Sequence, residues 1–222
     1  MTEATLTAAL YEQFARIGKG VDSPKRIELL ELLAQGPKSV DQLAAETGMG
    51  VGNTSAHLQV LRQARLVDNQ KRGARVVYRL ADDLVARFLI VLKELARARL
   101  AEVEQFLADL MRHEPGLEVV ARDELSKRLA SGQVIVIDVR PREEYAAGHI
   151  RGAISLPIDD IGNAVNVLPR DVQIVAYCRG PYCIYALKAV SLLQQHGYRA
   201  AQLEAGFPEW RLAGLPIEAS TV

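Results

Sequence analysis

Residues 172–177 read VQIVAY and run directly into Cys178-Arg179-Gly180-Pro181-Tyr182-Cys183. The first six are apolar and β-branched, the composition of a strand buried on both faces of a parallel sheet. Behind the turn, Leu187, Val190 and Leu193 fall on one face of a helix spanning 186–195, and Gly197 stops it. A strand feeding a helix through a tight turn is one unit of an α/β layer fold. The turn also holds both cysteines of the chain. A sulfur placed there faces successive backbone N–H groups and the positive end of the helix dipole, both of which favour thiolate. Gly180 lets the backbone curl and Arg179 adds positive charge, so Cys178 is expected to be a nucleophile rather than a small buried hydrophobe.

Helical and strand patterns alternate on either side of this unit. Residues 122–130 read as a helix, 134–140 (VIVIDVR) as a strand, and 141–145 as the start of another helix. Gly148-His149-Ile150 and Gly152-Ala153-Ile154 give a loop and a short strand, 200–203 a last strand, and 208–212 a final helix. The result is a mostly parallel sheet whose active loops lie beyond the carboxyl ends of the strands, where Cys178 stands. His113-Glu114-Pro115-Gly116 breaks the chain ahead of it and divides a domain over 1–112 from a second over 117–222.

The first half is mainly helical. Leu6, Leu10, Phe14 and Ile17 recur at helical spacing over 6–19. Ser23 caps a helix with Pro24 at its first position, running to Leu33, and Ser39 caps another over 40–47 that ends at Gly48. A further helix over 53–63 turns Leu58 and Leu61 inward and keeps Asn53, Thr54, Ser55, His57 and Gln59 polar. Two short helices joined through a glycine turn make a helix-turn-helix. Next, 66–80 forms two extended runs around Lys71-Arg72-Gly73-Ala74-Arg75, a basic β-hairpin placed as the wing of a winged helix, whose cations reach phosphates beside the groove. From 82 to 112 one long helix carries Val85, Phe88, Leu92, Leu95, Val103, Phe106 and Leu110 on a face, as expected of a helix that pairs with another.

The totals bound the rest. The chain has 222 residues with 27 basic and 27 acidic side chains, so no global field draws it to nucleic acid or membrane and any DNA affinity must be local. No apolar run approaches the ~18 residues of a membrane span and the N-terminus lacks a signal-peptide pattern, so a cytoplasmic location is expected. Two cysteines in such a chain make no disulfide framework; a close pair in a reducing compartment points to chemistry or redox sensing.

Two family resemblances follow from these residues. The helix order, the stretch His57-Leu58-Gln59-Val60-Leu61 with Ala64-Arg65-Leu66-Val67, and the wing ending Val77-Tyr78-Arg79-Leu80 resemble the ArsR family of winged-helix repressors. That resemblance implies a homodimer on a palindromic double-stranded operator, with the helix over 53–63 as reader. Asn53, Thr54, Ser55, His57 and Gln59 are its candidate contacts, joined by Lys71, Arg72 and Arg75 of the wing. Many members bind metal through cysteines in the preceding helix, but Ser39-Val40-Asp41-Gln42-Leu43 offers none, and His113 stands alone, so neither a metal nor a cofactor is expected.

Asp138-Val139-Arg140, Glu144-Tyr145, Gly148-His149-Ile150, Gly152-Ala153, Tyr177-Cys178-Arg179 and Gly206-Phe207-Pro208-Glu209-Trp210, in that order, resemble a single-domain rhodanese. The resemblance implies that Cys178 accepts sulfane sulfur as a persulfide and passes it to a thiol acceptor, with Arg179 and Cys183 beside it. Asp138, Arg140 and His149 read as structural. Cys183 stands where many rhodaneses carry a cation or threonine, which leaves the turn with Arg179 as its own cation and disfavours doubly charged thiosulfate. Ile184 stands where the phosphatases of this fold place arginine, so phosphate chemistry is discounted. Cys183 leaves two options open: it meets Cys178 in a disulfide or a sulfur bridge, or its sulfur packs into the helix. The expected function is a DNA-binding repressor that senses or transfers sulfane sulfur. The alternatives are a sulfurtransferase enzyme or a thiol-based metal or arsenic sensor.

Overall fold

The computed structural model describes residues 3–112, 117–165 and 168–220. It forms two compact units, Met1–Val91 and Leu92–Val222. The sequence break at 113–116 and the side chain of Leu110 lie outside the described residues. Among the described residues no helix is long and apolar enough to cross a membrane.

The first unit contains α1 (Glu3–Val21), α2 (Pro24–Ala34), β1 (Lys38–Ser39), α3 (Val40–Thr47), α4 (Val51–Gln63), β2 (Val67–Arg72) and β3 (Arg75–Leu80), and it takes the first half of α5 (Asp83–Arg99). Local chemistry sets these boundaries. The Ser39 hydroxyl accepts from Gln42 N at 3.2 Å while Ser39 N donates to the Gln42 amide oxygen at 2.8 Å, a reciprocal cap that starts α3. Gly48 ends it in the left-handed region at φ 66°. Leu29, Leu30, Leu33, Leu43, Leu58 and Leu61 from three helices close on Tyr78 of the hairpin and on Leu89 of α5. The hairpin pairs from Val67↔Leu80 to Arg72↔Arg75, and the two-residue β1 adds to β3, giving an antiparallel sheet ordered β1-β3-β2. Val21 at the end of α1 packs on this core, but Leu10, Tyr11 and Phe14 of the same helix do not: they are 49%, 66% and 64% exposed.

The helix expected over 82–112 is two helices, α5 and α6 (Ala101–Arg112), interrupted at Leu100. Neither proline nor glycine stands there, and Leu100 N still donates to Ala96 O at 2.8 Å. Val85 and Leu89 are buried, whereas Leu95 and Phe106 are exposed.

After α6 the second unit continues with β4 (Glu118–Val120), α7 (Arg122–Ala130), β5 (Val134–Asp138), α8 (Arg142–Ala147), β6 (His149–Ile150), β7 (Ile154–Ser155), α9 (Ile161–Ala164), β8 (Gln173–Tyr177), α10 (Ile184–Gln195), β9 (Ala200–Leu203), α11 (Phe207–Leu212) and β10 (Ile217–Glu218). Five strands form a sheet ordered β4-β9-β8-β5-β7, parallel throughout. Strand alternation divides its side chains between two cores. Ile174, Ala176 and Cys178 join Ile137 and Val139 against α9 and α10, while Val175 and Tyr177 join Val134 and Val136 against Leu125 and Trp210. Cys178 therefore continues an inward-facing row. β6 and β10 pair antiparallel and tie down the C-terminal segment.

The carboxyl ends of β5 and β8 are locked by polar groups inside this apolar layer. Asp138 and Arg140 are both fully buried. Arg140 Nη2 donates to Asp138 Oδ2 at 2.6 Å and to Gly148 O at 2.6 Å, and its guanidinium lies 4.3 Å from the Phe207 ring centre. Burial alone would lower the Arg140 pKa, but the hydrogen bond and charge of Asp138 leave it above the ordinary guanidinium value. The Tyr177 hydroxyl donates to Asp138 Oδ2 and accepts from Ile150 N. Burial first, and the Asp138 carboxylate second, hold this phenol well above the usual tyrosine range.

Removing that hydroxyl in Tyr177→Phe leaves Ile150 N–H without its acceptor and Asp138 with one donor fewer, an expected loss of about 1–3 kcal/mol in urea unfolding at neutral pH. Because the folded state holds a proton that the unfolded chain releases near pH ~10, wild-type stability is intact below that pH and falls above it. Tyr177→Phe should show a smaller alkaline loss; equal losses would refute the assignment.

Candidate functional site: a cysteine turn and a winged-helix face

Cys178 leaves β8 fully buried, and Cys183 is the N-cap residue of α10. Their Cα atoms are 6.1 Å apart and the two sulfurs are bonded. Of the two options open from the sequence, the structure takes the disulfide. Residues 178–183 thus form a small covalent ring at the carboxyl end of the central strand. Cys183 N also donates to Gly180 O at 3.1 Å, which tightens the curl.

The turn is held from outside at three places. Arg179 is bidentate on the buried Glu144, with Nε to Oε2 at 3.0 Å and Nη2 to Oε1 at 2.6 Å, so its charge is matched by a carboxylate from α8. Phe207 N donates to Cys178 O at 3.1 Å. Gly206 packs directly under the turn: a Cβ there would overlap the backbone N and Cα of Gly180 and the carbonyl carbon of Arg179. Glu209 completes the arrangement by accepting from Gly206 N at 3.0 Å. The Gly206–Glu209 motif was visible in the sequence; its contact with a turn some 30 residues earlier was not.

His149 is buried, stacked on Tyr145 with ring centres 3.7 Å apart, and its Nδ1 lies 2.8 Å from Tyr145 O. It supports the fold around α8. Beyond the end of β5, Val139, Pro157 and Tyr185 line a cavity of about 380 Å³ whose rim carries Glu143, Asp159 and Asp160. Arg142 at this rim is paired with Asp160 at 2.6 Å. Among the described residues no group of three or more His, Cys, Asp or Glu is placed to hold a metal ion.

In the first unit, Asn53 and Gln59 are exposed on α4, and Ser55 and His57 are half-buried. Gln59 Nε2 lies 3.4 Å from the Tyr78 hydroxyl. Thr54 faces inward: it is fully buried and its hydroxyl donates to Gly50 O at 3.1 Å. Lys71, Arg72 and Arg75 are exposed at the hairpin tip, where Gly73 supplies the left-handed turn at φ 60°.

A winged helix-turn-helix with a basic wing, followed by a parallel α/β unit with cysteines in the turn after its central strand, defines a class: DNA-binding regulators joined to a sulfurtransferase-like module. The profile for the bacterial regulatory protein, arsR family, matches residues 23–69 and that for the Rhodanese-like domain matches 121–213. HTH-type transcriptional regulator Rv0324 of Mycobacterium tuberculosis is 42% identical over 95% of this chain and 92% of its own length. A sulfurtransferase of Allochromatium vinosum is 37% identical over 44% of this chain and 91% of its own. The homodimeric winged helix-turn-helix domain of Mb0332 from Mycobacterium bovis is 37% identical, covers 45% of this chain and 91% of that one, and has a TM-score of 0.42. The chain belongs to the ArsR-family transcriptional regulators that carry a rhodanese-like domain.

The close approach at Gly206 generates a test. Gly206→Ala should push the turn off its seat, cost about 1–3 kcal/mol of stability through overpacking, and slow re-formation of the Cys178–Cys183 disulfide after reduction. Free-thiol titration during reoxidation reads the second effect. An unchanged rate would show that the seat does not shape the turn.

Proposed function

We propose that this protein is a repressor whose DNA affinity responds to sulfane sulfur loaded on the turn between Cys178 and Cys183. The module over 1–112 binds DNA and dimerises, and that over 117–222 takes the sulfur. The observation that carries the reading is the bonded cysteine pair at the end of the central strand, with Cα atoms 6.1 Å apart. A donor persulfide RSSH transfers its outer sulfur to the Cys178 thiolate and leaves as RSH, giving a Cys178 persulfide. Cys183 thiolate then attacks the Cys178 sulfur, the disulfide forms and hydrosulfide departs. In total RSSH and two thiols become a disulfide, RSH and hydrogen sulfide, so the donor is the oxidant. Arg179, held by Glu144, shapes the turn as a positioning residue.

On the DNA side, Asn53, Ser55, His57 and Gln59 form the reading face, and Lys71, Arg72 and Arg75 contact phosphates. The inward hydroxyl of Thr54 leaves it out of this face. Dimerisation is supported by the exposed apolar residues of α1 and by Leu95 and Phe106 on α5 and α6, surfaces that a second copy would cover. A second reading, in which the chain is chiefly a sulfurtransferase passing persulfide sulfur to a thiol acceptor, is favoured by the sulfurtransferase relative.

Two measurements test these assignments. Fluorescence anisotropy on a duplex from the promoter upstream of the protein's own gene, at fixed salt, should show polysulfide treatment weakening binding by roughly 5–150-fold. Cys178→Ser should bind like the reduced protein throughout, and mass spectrometry of Cys183→Ser should show one added sulfur. Full DNA affinity despite complete sulfur loading, with fast turnover of a persulfide donor, would favour the enzyme reading. Separately, replacing Lys71, Arg72 and Arg75 by alanine should flatten the dependence of log K on log salt by about 0.9 for each phosphate that the wing no longer neutralises, while sequence preference is kept.

A further inference from the structure

The turn's own cation is matched by Glu144, and residues 180–183 bring no other. A second cation reaches the turn from far away in the sequence. Lys93 Nζ lies 3.8 Å from Glu209 Oε1 and 3.8 Å from the position a Cβ would occupy on Gly180. Its side chain is 22% exposed and that of Glu209 13%, so the pair is largely shielded from solvent screening. Glu209 also fixes Gly206 N, and Gly206 is the seat of the turn. Lys93, Glu209, Gly206 and Gly180 therefore form one contiguous clasp.

Lys93 belongs to α5 and lies outside the segment that matches the Rhodanese-like domain, 121–213. One helical turn on, Arg97 and the loop residues Pro181 and Tyr182 line a cavity of about 310 Å³. Glu104 and, more weakly, the Tyr182 phenol hold the Arg97 guanidinium above its ordinary value. Residues four apart share a helix face, so Lys93 and Arg97 present one face of α5 to the cysteine turn. The first half of the same helix places Val85, Ala86 and Leu89 in the winged-helix unit, where all three are buried.

We infer that Lys93 is a positioning residue of the sulfur site, that its clasp with Glu209 holds the cysteine turn in place, and that α5 is the element which senses the turn's sulfur state. The inference rests on the cysteine turn being the reactive site. The clasp engages the turn with the disulfide closed, so opening the ring or adding a sulfur at Cys178 shifts Gly180 relative to Lys93, and the helix bearing Lys93 is continuous with the winged-helix core. The groups facing the turn are Arg179 with Glu144, Lys93 with Glu209, and Arg97 with Tyr182 and Glu104. Removing the Lys93 charge takes a cation from beside the turn and disfavours a Cys178 thiolate.

The test uses the full chain in a Cys183→Ser background, so that Cys178 alone reports, together with the DNA assay on the intact pair. Lys93→Gln should slow iodoacetamide alkylation of Cys178 at neutral pH by roughly three- to ten-fold, and Lys93→Arg should restore it. With both cysteines present, Lys93→Gln should cut the polysulfide effect on promoter-duplex affinity to less than about two-fold, against the roughly 5–150-fold of the wild type. An alkylation rate unchanged by Lys93→Gln, or slowed equally in Lys93→Arg, overturns the positioning role. A full polysulfide response in Lys93→Gln overturns the role of α5. Slowed alkylation with Arg rescue, in a protein whose wild type shows no DNA response to polysulfide, supports Lys93 as a positioning residue and overturns only the sensing function.

Discussion

Asp138 and Arg140 carry opposite charges at the carboxyl end of β5, and neither has any solvent exposure. Such a pair gains little over a well-packed apolar one, but removing either member strands the other and costs about 3–5 kcal/mol. Here the pair is also a hub. Arg140 reaches Gly148 O and the Phe207 ring, and Asp138 takes the Tyr177 hydroxyl, so loops after three strands are referenced to one charged centre. Phe207 N in turn holds Cys178 O. The geometry of the cysteine turn is therefore inherited, through two residues, from a buried ion pair outside the turn.

Above that base the turn is shaped by tight contact. Gly206 brings two backbone segments closer than any side chain would allow, and Glu209 pins the glycine. Arg179, which on the sequence alone is the turn's electrostatic resource, is turned to Glu144. A turn held this way has few alternative shapes, so a covalent change within it must be accommodated by its neighbours. That is the physical requirement for a sensor, and it is why the residues packed on the turn matter as much as the cysteines to the proposed response.

The link between chemistry and DNA is a question of energy shared between two states. A modification alters operator affinity only if its free energy differs between the DNA-competent and DNA-incompetent arrangements. α5 is the element that belongs to both units, contributing Leu89 to the winged-helix core and Lys93 to the clasp at the turn. In the proposed mechanism this shared helix is where the difference arises. In the same proposed mechanism, a second copy covering the exposed apolar residues of α1 and Phe106 of α6 would make the two arrangements distinguishable.

Periodicity and punctuation in the sequence determined most of the elements: the Ser39 cap and Gly48 stop of α3, the Gly73 hairpin, and the apolar strand that delivers Cys178 into a turn. These are local properties, written within a few residues of where they act. The motif order likewise carried the two-part architecture. Tertiary structure decided what depends on partners distant along the chain. It turned Thr54 inward although Asn53 and Gln59 of the same helix are exposed, and it interrupted the long helix at Leu100, where no breaker stands. It joined Cys183 to Cys178, matched Arg179 with Glu144, and brought Lys93 to a turn more than 80 residues away. Local spacing fixes which way a backbone runs, but which side chains meet is set by packing of the whole core, and that information is spread over the chain rather than held in any one stretch.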